Sequence, residues 1–271
     1  KCGVGKSTVT TNLAVALAEK GLKVGLADAD LHGPNIPKLF NAEDVRLKST
    51  DEGIDPYETT NGLKVASLGF LIEDPNMHIA WRDAVKYDFI IELLGNIQWG
   101  ELDYLILDLP PGTGDVQLTL TQKIQMTGAV MVTTPQDIAL TDVRKGADMF
   151  AKVNVPVLGV VENMSGFTVN GLVKDTDGNP STGGSVQIFG EEVSLNENGE
   201  FDYVLDLFKR GGGKKESERL QVPLLGEIPI IPEIITSTDS GDPVIRSAPD
   251  SPSGKAFQIV VNNILSNEDK I

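Results

Sequence analysis

Short apolar runs alternate with stretches of helical spacing along most of the chain. The first such stretch follows residue 8 and ends at Gly21, with apolar residues at Leu13, Ala14, Leu17 and Ala18. This spacing predicts a helix with one apolar face, and the apolar run at 23–27 predicts a strand directly after it. A helix followed by a buried strand is typical of an α/β protein.

Later apolar runs predict the remaining strands. One run closes at Asp108, and the last lies within the segment Val222–Ile234. The runs Ala129–Val132 and Val157–Val161 lack polar alternation, which favours strands buried on both faces of a parallel sheet. We therefore expect one domain over residues 1–271, with a doubly wound, mainly parallel sheet of about seven strands and helices on both faces.

Three further segments complete the expected organisation. We expect helices over His78–Trp99 and Gly254–Leu265, and a surface excursion over Thr50–Gly62. Trp81 and Trp99 are interpreted as packing residues.

Residues 168–207 have a different pattern, typical of short antiparallel strands. Asn170-Gly171 is a hairpin turn signal, and the runs SVQIFG and FDYVLDL resemble strands. The segment carries eight acidic residues and one lysine, a net charge of −7. Asp175, Asp177 and Asn179 resemble the start of a calcium loop, but Pro180 and Val186 occupy the positions where such a loop needs glycine and glutamate. We expect a small acidic β-rich insertion with tight turns.

Composition and charge exclude several kinds of partner. The 271-residue chain has a formal net charge of −16, which argues against a broad basic surface for nucleic acid or for an anionic membrane. No apolar run is long enough for a transmembrane helix. The single cysteine, Cys2, fits a reducing compartment, so we expect a cytoplasmic protein.

The opening residues KCGVGKST contain the end of a phosphate-binding loop. Its glycines let backbone N–H groups surround phosphate oxygens, and the helix that follows directs its positive dipole end at them. Lys6 would contact the β- and γ-phosphates, and the Ser7 hydroxyl would bind Mg²⁺. The predicted nucleotide contacts in this loop are Gly3, Val4, Gly5, Lys6, Ser7 and Thr8. The strand that should lead into the loop is missing from the printed sequence, so we expect the sequence to be a fragment.

Carboxylates follow two of the predicted strands. Asp28 and Asp30 alternate at the end of the first strand, and Asp108 closes another in a Walker B arrangement. We expect Asp28 and Asp108 near Mg²⁺ and Asp30 as the residue that orients the attacking water. The loop Asp108–Asp115, rich in proline and glycine, is a predicted switch that responds to loss of the γ-phosphate. Asn163 and Pro229, in the segments after two later strands, are predicted contacts of the adenine base.

Five strings together resemble the Mrp/ApbC family of deviant Walker A ATPases, relatives of MinD and ParA. They are DADLHGPNIP, WGELDYLILDLPPGTGDVQLTLTQ, TPQDIALTDVRKGADMF, VPVLGVVENMS and VPLLGEIPIIPEI. The resemblance implies a three-layer P-loop NTPase fold, Mg-dependent ATP hydrolysis in a homodimer, and a role in iron–sulfur cluster assembly or transfer to apo-proteins. By position, Lys1 resembles the lysine that acts on the partner's nucleotide. Lys1, Lys6 and Asp30 are then the predicted catalytic residues.

The sequence departs from the family after the string ENMS. Many members carry Cys-x-x-Cys there, and two such pairs can hold a bridging [4Fe–4S] cluster. This chain has no cysteine in that region, so no iron–sulfur ligand is identifiable, and whether the protein binds a cluster stays an open question at this point. Cys2 is interpreted as a small replacement for glycine. The alternative function is a cluster-free nucleotide switch that docks a protein partner through the acidic insertion.

Overall fold

A computed structural model describes residues 3–30, 33–71, 90–91, 94–112 and 114–267. Lys1, Cys2, Trp81 and most of the predicted helix 78–99 lie outside these residues. The helices are α1 (Lys6–Glu19), α2 (Ile36–Leu39), α3 (Asp115–Lys123), α4 (Asp137–Lys152), α5 (Gly212–Leu220), α6 (Pro232–Ser240), α7 (Val244–Ser247) and α8 (Pro252–Leu265). The strands are β1 (Val24–Asp28), β2 (Lys48–Thr50), β3 (Gly53–Asp55), β4 (Tyr57–Glu58), β5 (Lys64–Ser67), β6 (Tyr104–Asp108), β7 (Ala129–Thr133), β8 (Val157–Leu172), β9 (Ser185–Ile188), β10 (Glu191–Ser194), β11 (Glu200–Leu205) and β12 (Leu224–Ile230).

Helix α1 is buried on almost every side. Every residue from Thr11 to Ala18 is buried, because β1, β6 and α8 all pack against this helix. A helix that is apolar all round belongs in the interior rather than on the surface. The prediction of this helix from four apolar positions is confirmed, although its burial extends beyond one face.

The parallel strands form two groups. In the first group the order is β4-β5-β1-β6, with β1 parallel to β5 and β6. In the second, β8 lies between β7 and β12 and is parallel to both. The predicted α/β class and mainly parallel pairing are confirmed.

A groove of about 1210 Å³ separates β6 from β7 and is lined by apolar side chains of both strands and of α1. Among the described residues, β6 pairs only with β1, and β7 pairs only with β8. The Leu105 side chain of β6 lines this groove and is 48% exposed.

The acidic insertion is built on an extension of β8. This strand continues from the parallel sheet to Leu172 and pairs antiparallel with β11, while β9 and β10 form a separate hairpin. The predicted turn at Asn170-Gly171 is wrong, since Asn170 pairs with Asp202 and Gly171 with Phe201 inside the ladder. Gly171 is needed because a Cβ there would overlap the Phe201 ring. The asparagine–glycine pair therefore serves strand packing rather than a turn.

The two other predicted turns of the insertion are present. Asp175 Oδ1 accepts hydrogen bonds from the backbone N–H of Asp177 and Asn179, both at 2.9 Å. Asn196 Oδ1 accepts in the same way from Asn198 and Glu200. Such turns use the side-chain oxygen to satisfy backbone donors. The expectation of a tight turn instead of a calcium loop fits this geometry.

The triple glycine at the start of α5 is explained by close packing. Gly211 has a left-handed φ of 76° as the N-terminal cap. A Cβ on Gly212 would lie 2.8 Å from the Pro135 carbonyl oxygen, and one on Gly213 would lie 2.7 Å from Glu162 Cβ. The buried Glu162 carboxylate accepts hydrogen bonds from Gly213 N–H and, at 2.7 Å, from Ser165 Oγ. The end of the insertion is thereby fixed against β8.

An ion pair with a buried carboxylate joins α5 to α4. The Glu216 carboxylate is 1% exposed and binds Arg144 of α4 and, at 2.6 Å, Arg219 of its own helix. Burial alone would raise the pKa of Glu216, but the hydrogen bonds from Arg144 and Arg219 outweigh burial and hold this pKa below its ordinary value of 4.5. The ionised form is therefore favoured by folding.

This ion pair predicts a loss of stability in acid. A carboxyl whose pKa is lowered by folding contributes stability above its ordinary pKa, and the contribution disappears as the pH falls through the folded pKa. We expect Glu216→Gln to lower the free energy of unfolding by about 2 kcal/mol at pH 7, and the difference from wild type to shrink toward pH 3. Urea unfolding at several pH values measures it, with the exposed Glu218→Gln as the control. A difference that stays constant from pH 7 to pH 3 would contradict this account.

Candidate functional site

The phosphate-binding loop turns sharply into α1. Gly3 and Gly5 have left-handed φ values of 86° and 79°, and Gly5 caps the helix. The bond from Val9 N–H to the Gly5 carbonyl oxygen, at 2.9 Å, is the first of the helical pattern. Backbone N–H groups of the first turn have no partner within a helix, so this end of α1 can bind an anion.

Two buried carboxylates lie side by side at the sheet edge next to this loop. Asp28 ends β1, Asp108 ends β6, and the two are directly paired in the parallel register. Each residue is only 3% exposed. Parallel pairing therefore places both carboxylates at the edge where ligands bind in open α/β sheets.

Asp108 is connected to the start of α1. Burial raises its pKa, while a hydrogen bond from the Ser7 hydroxyl and the charge of Lys6 act in the opposite direction. Thr10 Oγ1, one turn further along α1, lies 3.4 Å from Asp108 Oδ1. The loop lysine, the loop serine and the strand-end carboxylate thus form one cluster.

Asp28 is held by the protein itself. Its Oδ1 accepts from Asp30 N–H at 3.0 Å, and its Oδ2 accepts from Ser67 Oγ at 2.9 Å. Burial raises the pKa of Asp28 to about 7, although these hydrogen bonds oppose the shift. The backbone bond ties Asp28 to the turn that carries Asp30, and Asp30 adds negative charge near Asp108. All three predicted carboxylates are therefore brought together.

Asn163 approaches the phosphate-binding loop from the other group of strands. Its Nδ2 donates to the Val4 carbonyl oxygen at 2.9 Å, and a Cβ on Gly5 would overlap this amide. Ile228 of β12 is the register partner of Asn163, so Pro229 lies beside it on the adjacent strand. The Pro229 carbonyl oxygen accepts from Ser253 Oγ at 2.9 Å. The two predicted base contacts are neighbours, and one of them already touches the loop.

The predicted switch loop is anchored at both ends. It leaves the sheet at Asp108 and enters α3, and Gln117 Nε2 of that helix donates to the Pro110 carbonyl oxygen. Gly112, between them, has a left-handed φ of 104°. The anchoring residue Gln117, the Asp108 contact Thr10 and the Asp28 contact Ser67 were not predicted. Of these, only Thr10 had a signal, because it follows Ser7 by one helical turn.

Comparison with known proteins identifies the family. The model of a ParA-type family, described as a NUBPL iron-transfer P-loop NTPase, matches residues 1–191 and 191–265. The chain belongs to this family. A match over this much of the chain confirms the predicted P-loop NTPase fold, and the break in the match at residue 191 falls inside the acidic insertion.

Two similar relatives are both described as iron–sulfur cluster carrier proteins. One, from Aquifex aeolicus, is 43% identical over 98% of this chain and 65% of its own length. The other, from Saccharolobus solfataricus, is 40% identical over 98% of this chain and 80% of its own length. The chain thus spans slightly less than two thirds of the Aquifex relative.

A solved structure with the same fold is a nucleotide-binding protein from Archaeoglobus fulgidus in complex with ADP. It is 37% identical, with a TM-score of 0.66, over 89% of this chain and 83% of its own. Within the described residues, no helix is long and apolar enough to cross a membrane.

The two loop glycines allow a matched test of the contact with Asn163. Gly3 and Gly5 both have left-handed φ, but a Cβ on Gly3 would have no neighbour within 4 Å among the residues that the structure describes. We expect Gly3→Ala to lower the free energy of unfolding by about 1 kcal/mol, from backbone strain alone. Gly5→Ala should cost about 2 kcal/mol more, because the methyl group displaces the Asn163 amide. Equal losses in chemical denaturation would show that the contact with Asn163 is not tight.

Proposed function

We propose that this protein binds and hydrolyses ATP with Mg²⁺, as a homodimer, and that it serves iron–sulfur cluster assembly or transfer. The single observation that supports hydrolysis best is the cluster of Lys6, Ser7 and Asp108 at the start of α1. A loop lysine, a loop hydroxyl and a buried strand-end carboxylate are the groups that phosphoryl transfer requires.

The donor set at this point fits magnesium. The Ser7 hydroxyl and the Asp108 carboxylate are hard oxygen ligands, and Mg²⁺ usually takes one or two protein groups besides phosphates and water. Among the described residues, no group of three or more His, Cys, Asp or Glu side chains could hold a metal by itself. We infer that Ser7 and Asp108 would hold the ion together with the nucleotide. Bound there, the ion would neutralise charge on the β- and γ-phosphates.

Each of the remaining site residues has a separate role in the reaction. The first-turn N–H groups of α1 bind the phosphates, and Lys6 stabilises the charge on the γ-phosphate. Asp30 orients the attacking water and accepts its proton. Asp28 keeps Asp30 in place through the bond to its backbone N–H. Lys1 acts on the partner's nucleotide across the dimer.

The cargo is inferred from the relatives described as iron–sulfur cluster carriers. The printed residues contain one cysteine, Cys2, which is interpreted as a replacement for glycine, whereas a [4Fe–4S] cluster takes four ligands. The insertion occupies the place where related sequences have Cys-x-x-Cys. We propose that an iron–sulfur apo-protein supplies cluster ligands during transfer.

Hydrolysis is tested directly by removing the loop lysine. We expect Lys6→Ala in the full-length protein to lower kcat for ATP by about 100-fold or more, because a charge that stabilises the transition state is lost. Lys20→Ala, at the exposed end of the same helix, should leave kcat unchanged. Phosphate release measures both. Equal turnover in Lys6→Ala and wild type would exclude this site as the source of hydrolysis.

Cluster transfer needs a separate measurement. We expect the full-length protein, supplied anaerobically with iron and sulfide, to accelerate cluster insertion into an apo-ferredoxin when ATP is present. Lys6→Ala should lose this acceleration, since transfer depends on nucleotide turnover. The cluster absorbance of the repurified ferredoxin is the readout, and spontaneous insertion without the carrier is the control. Insertion at the spontaneous rate with wild type would reject the carrier role while leaving the ATPase proposal standing.

A further inference from the structure

We infer that Asn163 is a positioning residue for the phosphate-binding loop, and that it contributes to triphosphate affinity independently of any contact with the base. This inference rests on the proposed nucleotide binding and deepens it. The observation that supports it is the buried hydrogen bond from Asn163 Nδ2 to the Val4 carbonyl oxygen, at 2.9 Å.

The orientation of the Asn163 amide is determined by its partner. A backbone carbonyl oxygen can only accept a hydrogen bond, so the amide nitrogen and not the amide oxygen must face Val4. Asn163 is 7% exposed and Val4 is 4% exposed, so water competes weakly for this bond. The contact is therefore a buried hydrogen bond of the protein interior and not a contact at the surface.

The bonded carbonyl belongs to the peptide that controls the shape of the loop. The Val4–Gly5 peptide leads directly into Gly5, whose left-handed φ of 79° turns the chain into α1. Rotation of this peptide would redirect the N–H groups that precede the helix. Holding the Val4 carbonyl therefore keeps those donors aimed at the phosphates.

The opposite side of the contact is also rigid. Asn163 lies in β8, which is bonded to β7 on one edge and to β12 on the other. The preceding residue, Glu162, is fully buried and binds Ser165 Oγ and Gly213 N–H. A side chain that projects from such a strand can serve as a fixed reference for a loop of glycines.

The close approach of the two segments is specific to glycine. A Cβ at position 5 would overlap Asn163 Nδ2, so the Asn163 amide lies directly against the backbone of Gly5. An amide that only read the base would have no need to contact the loop in this way. The second hydrogen of the same Nδ2 can still meet a base, so the two roles are separable by experiment.

Inorganic tripolyphosphate separates the roles because it has phosphates but no base. We expect Asn163→Leu, which keeps the branching of asparagine at Cγ but has no donor, to weaken Mg-tripolyphosphate binding about tenfold in calorimetry. Asn163→Thr, which has a shorter side chain but keeps a hydroxyl donor, should bind more tightly than Asn163→Leu. A residue that acted only by packing would give the reverse order.

Two further readouts complete the test. Thermal unfolding of each variant shows that it is folded. Competition of adenosine with bound ATP measures the contact with the base without the phosphates, because adenosine has none. Unchanged tripolyphosphate affinity in Asn163→Leu, or tighter binding by Asn163→Leu than by Asn163→Thr, would overturn the positioning role. Failure of the wild-type protein to bind ATP would instead reject the proposed function.

Discussion

The candidate site depends on one constraint, the parallel pairing of β1 with β6 that places Asp28 directly beside Asp108. Two buried carboxylates at neighbouring positions repel each other, and each loses its hydration on folding. The protein compensates with different partners for each. Ser7 and Thr10 donate hydrogen bonds to Asp108, whereas Ser67 and the backbone N–H of Asp30 donate hydrogen bonds to Asp28. Asp108 therefore contacts the start of α1, whereas Asp28 holds the turn that carries Asp30.

The sequence signals for this half of the site are local. A glycine loop before a helix, and an apolar run that ends in aspartate, each specify both a structure and a chemical role within a few residues. Their assembly follows from the rule that parallel strands end at one edge of the sheet. Gln117 and Ser67 were not predicted because the contact of Gln117 with Pro110 and that of Ser67 with Asp28 depend on where α3 and β5 pack, which no local pattern encodes.

In the insertion, by contrast, a local sequence signal gives the wrong structure. Asn170-Gly171 is a strong local signal for a turn, yet the strand continues through it because β11 supplies partners on the far side. The Phe201 ring fills the space that a side chain at Gly171 would need. Tertiary pairing thus overrides the turn preference of the dipeptide. As a result β8 runs from Asn163, beside the phosphate-binding loop, into the acidic insertion.

The most direct test of the central claim is a crystal structure of the full-length protein with Mg²⁺ and ADP. The account predicts phosphates on the first turn of α1 and a magnesium ion held by Ser7 Oγ, at about 2.0–2.1 Å, and by the Asp108 carboxylate, directly or through a water. A nucleotide bound away from residues 3–8, or a metal held without Ser7 and Asp108, would contradict it.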